Sequence, residues 1–249
     1  MTKLHYVLMV AMICRIAGFP NAHIVRAAQA VGGLAGVGRV WSADPGKGRG
    51  FNFAFALAGG RRCVVGSDVG VAVLSLGDGH LRGWVARTTP KGWRVDCGTV
   101  SPGGRYFAFI ESRLFHDRER LQVFRSSDLK RLNSMEVPRT VNLALSRGGT
   151  WVAAGGLGKA LIWPAQGVGR QVVLRLPGQT SNHAIGVAFS TDKKCLYGIS
   201  GQLFIKWNIA TKSSVFMKRI RVSSGRGSTI NAVQREGVIV SDGAGHVWL

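Results

Sequence analysis

Residues 141–163, VNLALSRGGTWVAAGGLGKALIW, read as an apolar strand, a tight Ser146-Arg147-Gly148-Gly149 turn, a second strand, a glycine turn and a third strand ending in Trp163. Short β-branched and aromatic runs bounded by Gly, Pro, Asp and Ser are what antiparallel strands and hairpins require. Variants of this unit recur along the chain, and a supersecondary unit repeated at a fixed period marks a repeat protein.

Two rulers measure the period. Turns beginning at Ala58, Ser101, Ser146, Ser190 and Gln234 are spaced 43, 45, 44 and 44 residues, and an earlier turn at Ala17-Gly18 lies 41 residues before Ala58. The large apolar residues that close the third strands, Trp41, Leu74, Phe124, Trp163, Trp207 and Trp248, have a mean spacing of about 41, the repeat length of a four-stranded propeller blade. Runs such as Phe107-Ala108-Phe109-Ile110 and Val152-Ala153-Ala154 are almost wholly apolar or small, which suits strands covered on both faces. One small sheet cannot cover both of its own faces, so the units are expected to stack in a ring.

Several stretches carry a family likeness: Ser101-Pro102-Gly103-Gly104-Arg105, Val187-Ala188-Phe189-Ser190-Thr191-Asp192, and the strand endings Arg39-Val40-Trp41, Leu161-Ile162-Trp163, Ile205-Lys206-Trp207 and His246-Val247-Trp248. On these residues the chain resembles a divergent WD40-repeat β-propeller. It departs from that family in having Ser42, Pro164 and Asn208 after the tryptophans, where the family has Asp. The resemblance implies an all-β propeller of about six four-stranded blades, over residues 31–249, that serves as a non-catalytic platform for other proteins in an assembly. The sixth unit stops at Trp248-Leu249, where an outer strand should follow. Either the N-terminal residues fill that slot, or the last blade is incomplete, or the sequence is a piece of a longer propeller.

Residues 1–30 support competing readings. They hold Lys3, an apolar run from Tyr6 to Cys14 and no acid, which resembles a secretory leader or a mitochondrial presequence. The turn beat also continues into them, so first-blade strands are the reading taken, with an intracellular location, cytoplasmic or nuclear. No run reaches the length of a membrane-spanning helix.

The net charge is +21, from 33 Lys and Arg against 12 acids, and eight of those acids lie between Arg61 and Arg139. Such a field favours anionic partners: RNA, another polyanion or an acidic protein. Between Thr191 and Gly227 many cations accompany one acid, Asp192. Within that segment Lys218, Arg219, Arg221 and Arg226 are the candidate anion- or partner-binding residues, and they support an alternative function as a basic RNA-binding subunit of a ribonucleoprotein, such as an organellar ribosome.

No catalytic residue, metal ligand or cofactor is assigned. The six histidines are scattered over five units and no Ser sits in a G-x-S-x-G elbow. Gly155-Gly156-Leu157-Gly158-Lys159 is a blade turn rather than a phosphate loop. The cysteines, 14, 63, 97 and 195, form no C-x-x-C pair; Cys63 and Cys195 are expected to begin equivalent second strands as small core residues. Glu111 to Arg120 reads as a solvated, partly self-paired insertion, the kind of place where a partner site sits.

Overall fold

The computed structural model describes residues 51–87, 93–113, 118–140, 142–167, 169–176, 185–219, 229–232, 238–241 and 247–248. All the regular elements in them are β-strands, and successive strands pair antiparallel in sheets contiguous in sequence. The chain divides into two compact units, Met1–Asp96 and Cys97–Leu249.

In the first unit β1 (Phe51–Ala56), β2 (Arg62–Ser67), β3 (Gly70–Ser75) and β4 (Leu81–Arg87) form one sheet in chain order. The rings of Phe53 and Phe55 stack at 5.1 Å. A Cβ on Gly66 would come within 2.3 Å of the Phe53 ring, so Gly66 is the space into which that ring fits. Cys63, Val65 and Leu74 pack together beside it. Burial pushes the Cys63 thiol up to about 11, leaving it an inert core residue at neutral pH.

Three further four-stranded sheets follow. Strands β5 (Trp93–Val100), β6 (Tyr106–Arg113), β7 (Arg118–Arg125) and β8 (Arg131–Pro138) make the first of them, with the unit boundary inside β5. The next comprises β9 (Asn142–Leu145), β10 (Trp151–Gly155), β11 (Lys159–Pro164) and β12 (Val172–Arg175). Then come β13 (Gly186–Phe189), β14 (Cys195–Ser200), β15 (Leu203–Asn208) and β16 (Ser213–Arg219). A last sheet has three described strands, β17 (Thr229–Ala232), β18 (Val238–Ser241) and β19 (Val247–Trp248). About six blades were expected. The described residues show four sheets of four strands and one of three, and the unit read over residues 1–50 lies outside them.

The sheet β9–β12 shows why its strands are apolar on both faces. Leu143, Leu145, Val152, Ala154, Leu161 and Trp163 point into one core with Ile110, Leu121 and Val123 of the preceding sheet. Ala144, Ala153, Ala160 and Ile162, alternating with them, point into a second core with Val187, Leu196, Ile205 and Trp207 of the following sheet. Period-two alternation feeds both cores from the same strands. The side-chain carbonyl of Asn142 then accepts from the Val187 backbone N–H at 2.8 Å, tying one inner strand to the next.

The turn between first and second strands repeats atom for atom. Buried Ser101, Ser146 and Ser190 each accept, on Oγ, the backbone N–H five residues on: Tyr106 at 3.0 Å, Trp151 at 3.0 Å and Cys195 at 2.9 Å. In the first sheet Leu57 occupies this place, pairing with Arg62 as the serines' own backbones pair with Tyr106, Trp151 and Cys195. The first mark of the ruler therefore belongs on Leu57, one residue before Ala58, which evens the early spacing to 44. By the same alignment Cys195 matches Arg62, and Cys63 matches Leu196; the two cysteines are not equivalent, and Cys195 is half-buried. Replacing Ser146 with alanine strips a fully buried turn of the acceptor for Trp151 and is expected to cost about 1–3 kcal/mol in urea unfolding. An unchanged unfolding midpoint would show that this bond does not hold the turn.

Of the stretch read as a solvated, partly self-paired insertion, residues 114–117 lie outside the described residues, and the rest corrects the reading in part: it is strand, self-paired, with its two glutamates buried. Glu111 and Arg120 are opposed residues of the lengthened β6–β7 hairpin, and Arg120 is opposed in turn by Glu136 on β8. Glu111 and Glu119 are buried. Arg120 lies 3.9 Å from the Glu111 carboxylate, and Glu119 accepts the Thr140 backbone N–H at 2.8 Å. Buried carboxylates are retained where hydrogen bonds and opposite charge meet them.

Candidate functional site

Strand β16 is set apart by exposure. It pairs with β15 from Leu203↔Arg219 to Asn208↔Ser213, and a bulge opposite Lys206 and Trp207 leaves Val215 as the extra residue. The turn into it is fixed by Asn208, whose side-chain oxygen accepts the N–H groups of Ala210 at 2.9 Å and Thr211 at 3.1 Å. All seven residues of β16 are exposed, Val215 at 54%, Phe216 at 48% and Met217 at 51%. The outer strands of the two preceding sheets behave differently: β8 buries Val137 and β12 buries Leu174. Exposed apolar side chains on both faces of an outermost strand, Phe216 on one and Met217 on the other, are the kind of edge that a partner flanks.

The inner neighbours of β16 extend this surface. Phe216 meets Phe204 edge to face at 6.2 Å, Phe204 stacks on Tyr197 at 5.8 Å, and the Lys206 ammonium sits 5.9 Å from the Tyr197 ring centre. An aromatic ladder thus crosses three strands on one face, held by ring packing and a cation–π contact.

Of the four residues singled out from the sequence, Lys218 and Arg219 end β16 and are exposed. As successive strand residues they point to opposite faces, Lys218 opposite Phe204 and Arg219 opposite Leu203, so the two do not form one cationic cluster. Arg221 and Arg226 lie outside the described residues. Sequence reading missed Val215, Phe216 and Met217, because an apolar run in a strand reads as core. A usable signal was present: Thr211-Lys212-Ser213-Ser214 before the run and Lys218-Arg219 after it are polar, unlike the flanks of the buried strands.

Among the described residues no group of three or more His, Cys, Asp or Glu side chains could hold a metal ion, and none of their elements is a helix long and apolar enough to cross a membrane. No protein-family model and no curated protein matches the chain. Solved structures do. A chain of the mitotic checkpoint complex aligns at 16% identity and a TM-score of 0.56, over 75% of this chain and 59% of that one. Hydrazine synthase of Kuenenia stuttgartiensis aligns at 11% and 0.58, over 77% and 69%. The calcium-binding protein regucalcin of Agrobacterium tumefaciens aligns at 11% and 0.56, over 77% and 68%.

The fold is of the β-propeller type. WD40 proteins are among the similar structures, and the likeness is one of architecture: contiguous four-stranded antiparallel sheets, which within Cys97–Leu249 pack face to face. This chain spans about six-tenths of the length of the checkpoint-complex chain. A propeller displays its function on faces and outer strands, since the interior of each sheet is used up by its neighbours. That directs attention to β16.

Proposed function

We propose that this chain is a non-catalytic scaffold, a propeller-type platform of about six blades that holds a protein partner against strand β16. The observation that carries the reading is the exposure of Val215, Phe216 and Met217 together on one outer strand. Because Phe216 and Met217 point to opposite faces of β16, a partner added along its edge covers them from both sides, at about 1 kcal/mol for each side chain covered. Beyond β16 no described strand continues the sheet, so its outer edge offers backbone donors and acceptors to an added strand. Lys218 and Arg219 at its end select a partner with acidic residues beside its apolar ones. In support of a non-catalytic role, the two carboxylates buried among the described residues, Glu111 and Glu119, are engaged by Arg120 and Thr140 within the scaffold.

A basic ribonucleoprotein subunit is the second reading, with Lys218, Arg219, Arg221 and Arg226 meeting phosphate. One experiment separates the two. Val215→Ser/Phe216→Ser/Met217→Ser and a four-site charge reversal at 218, 219, 221 and 226 are expressed in full-length form and recovered from native cells at low and high salt, with and without nuclease. The scaffold reading expects protein partners that survive salt and nuclease and are lost from the serine variant. If the serine variant keeps them all while the charge-reversed variant loses nuclease-sensitive material, the ribonucleoprotein reading replaces it.

A further inference from the structure

The most regular charge pattern lies elsewhere. Within Cys97–Leu249, the turns β5–β6, β7–β8, β9–β10, β11–β12, β13–β14 and β15–β16 fall at a common end of three consecutive sheets, as antiparallel chain order requires. Contacts carry that end from sheet to sheet. Asn133, entering β8, donates to the carbonyl of Gly167 after β11 at 3.0 Å. The Tyr106 ring fills the space where a Cβ on Gly149 would sit, 2.2 Å away, and the Lys193 ammonium lies 2.8 Å from a Cβ built on Gly148.

Each of these six turns supplies a cation: Arg105, Lys130, Arg147, Arg170, Lys193 and Lys212, all exposed. The acids at this end are already engaged. Asp128 takes the Arg125 guanidinium at 2.6 Å, which holds its carboxyl down at about 2, and the Lys130 N–H at 3.2 Å. Asp192 accepts the Ser190 hydroxyl at 2.6 Å and the Lys194 N–H at 3.0 Å, and its carboxyl is likewise lowered, first by that hydroxyl. Of the remaining described acids of these sheets, Glu111, Glu119 and Glu136 lie toward the opposite end of their strands, beside the β6–β7 hairpin, and Asp96 on β5 pairs with Arg94 at 2.6 Å.

Backbone geometry adds a second observation. In the turns between first and second strands the left-handed position is held by Gly60, Gly104 and Gly149, at φ 64, 71 and 62, but in the last of them by Lys193, at φ 63. Between third and fourth strands Gly79 and Gly167 hold it in two turns, while Leu129 holds it at φ 59 and Lys212 at φ 58. A side chain with a Cβ is disfavoured there and glycine is the easy choice. Of the three non-glycine residues in this position among the described residues two are lysines, and both present their charge at the cationic end.

We infer that this turn end is a docking face for the phosphate backbone of a nucleic-acid duplex. Six exposed cations beside acids that are already engaged suit phosphate contacts, and among the described residues none of the aromatic side chains at this end is exposed for stacking on unpaired bases, which favours a duplex over a single strand. Recognition is therefore by backbone and independent of sequence. The inference is separate from the scaffold reading, which concerns β16, and either can fail alone.

The test uses the full chain and short fluorescein-labelled duplexes of DNA and of RNA, titrated by anisotropy at several salt concentrations, with poly-glutamate as competitor. Binding is expected to weaken steeply with salt. A variant with the six cations changed to Gln should lose about 0.9 of log–log slope for every phosphate contact removed. Lys193→Gly/Lys212→Gly is the safeguard against misfolding: it should raise the thermal midpoint, by relieving strain, while weakening duplex binding several-fold and flattening the slope by about 2. Wild-type affinity and slope in the glycine pair, or poly-glutamate displacing the duplex at equal charge concentration, would overturn the inference. The second result would reassign the face to an acidic protein.

Discussion

Trp207→Ala is expected to lower the unfolding free energy by about 3–5 kcal/mol, as removal of a fully buried large aromatic does. Trp207 is 1% exposed and stands in the core shared by sheets β9–β12 and β13–β16, against Ala160, Ile162, Leu174 and Ile205. Its indole N–H reaches across to the Arg175 carbonyl at 3.3 Å. It lies over Gly198, where a Cβ would meet the ring at 2.3 Å. The backbone beneath has thus been pared down to admit the indole, and no neighbour is placed to fill the hole. Because whole domains are stable by only about 5–15 kcal/mol, this loss should be visible as a large fall in urea midpoint. Trp207→Phe, which keeps a ring over Gly198, should lose less. A loss within the ±0.5 kcal/mol of a surface substitution would show that the two sheets are not locked by this residue.

Gly155→Ala is expected to do comparable damage with the addition of one carbon. A Cβ there would lie 1.9 Å from the Ile185 carbonyl oxygen and 2.9 Å from its carbon. Backbone cannot swing aside as a side chain can, and Ile185 is pinned in place by its own N–H bond to the Gly156 carbonyl at 3.1 Å. Relief requires breaking that bond or moving β10 away from β13, at a cost of about 3 kcal/mol or more. Gly66→Ala is the informative contrast, since its obstacle is the Phe53 ring, a side chain. Thermal unfolding of the two variants should rank Gly155 well below Gly66; the reverse order would mean that β10 and β13 are not in such close approach.

Much of the architecture was legible in the sequence because it repeats. Leu74, Phe124, Trp163, Trp207 and Trp248 were read as third-strand closers and lie in β3, β7, β11, β15 and β19. The turn serines were visible as a beat, although the structural mark in the first sheet is Leu57. What stayed hidden depends on pairing rather than residue type. Glu111 and Glu119 read as solvated because glutamate is seldom buried; only the β6–β7 and β7–β8 registers show the Arg120 that Glu111 and Glu136 share. Phe216 itself carries no mark in the sequence that sets it apart from a core residue, and its exposure follows from the position of β16 at the outside of its sheet. The cations of the turn end are some 20 positions apart, and only sheet order gathers them. By contrast, the visible run from Lys218 to Arg226 is split between the two faces of a strand at the residues described.

The two-sided packing of β9–β12 also has a consequence in time. Synthesis adds about 5–20 residues per second, and each sheet is contiguous, so its strands can pair as soon as they leave the ribosome. Its second face waits, however, for the next repeat of 44 residues, an interval of roughly 2–9 s. During that interval β9–β12 would display Trp151, Ile162, Val172 and Leu174 beside Ala144, Ala153 and Ala160. An indole and three aliphatic side chains thus stay open to chaperones and other nascent chains until Trp207 arrives.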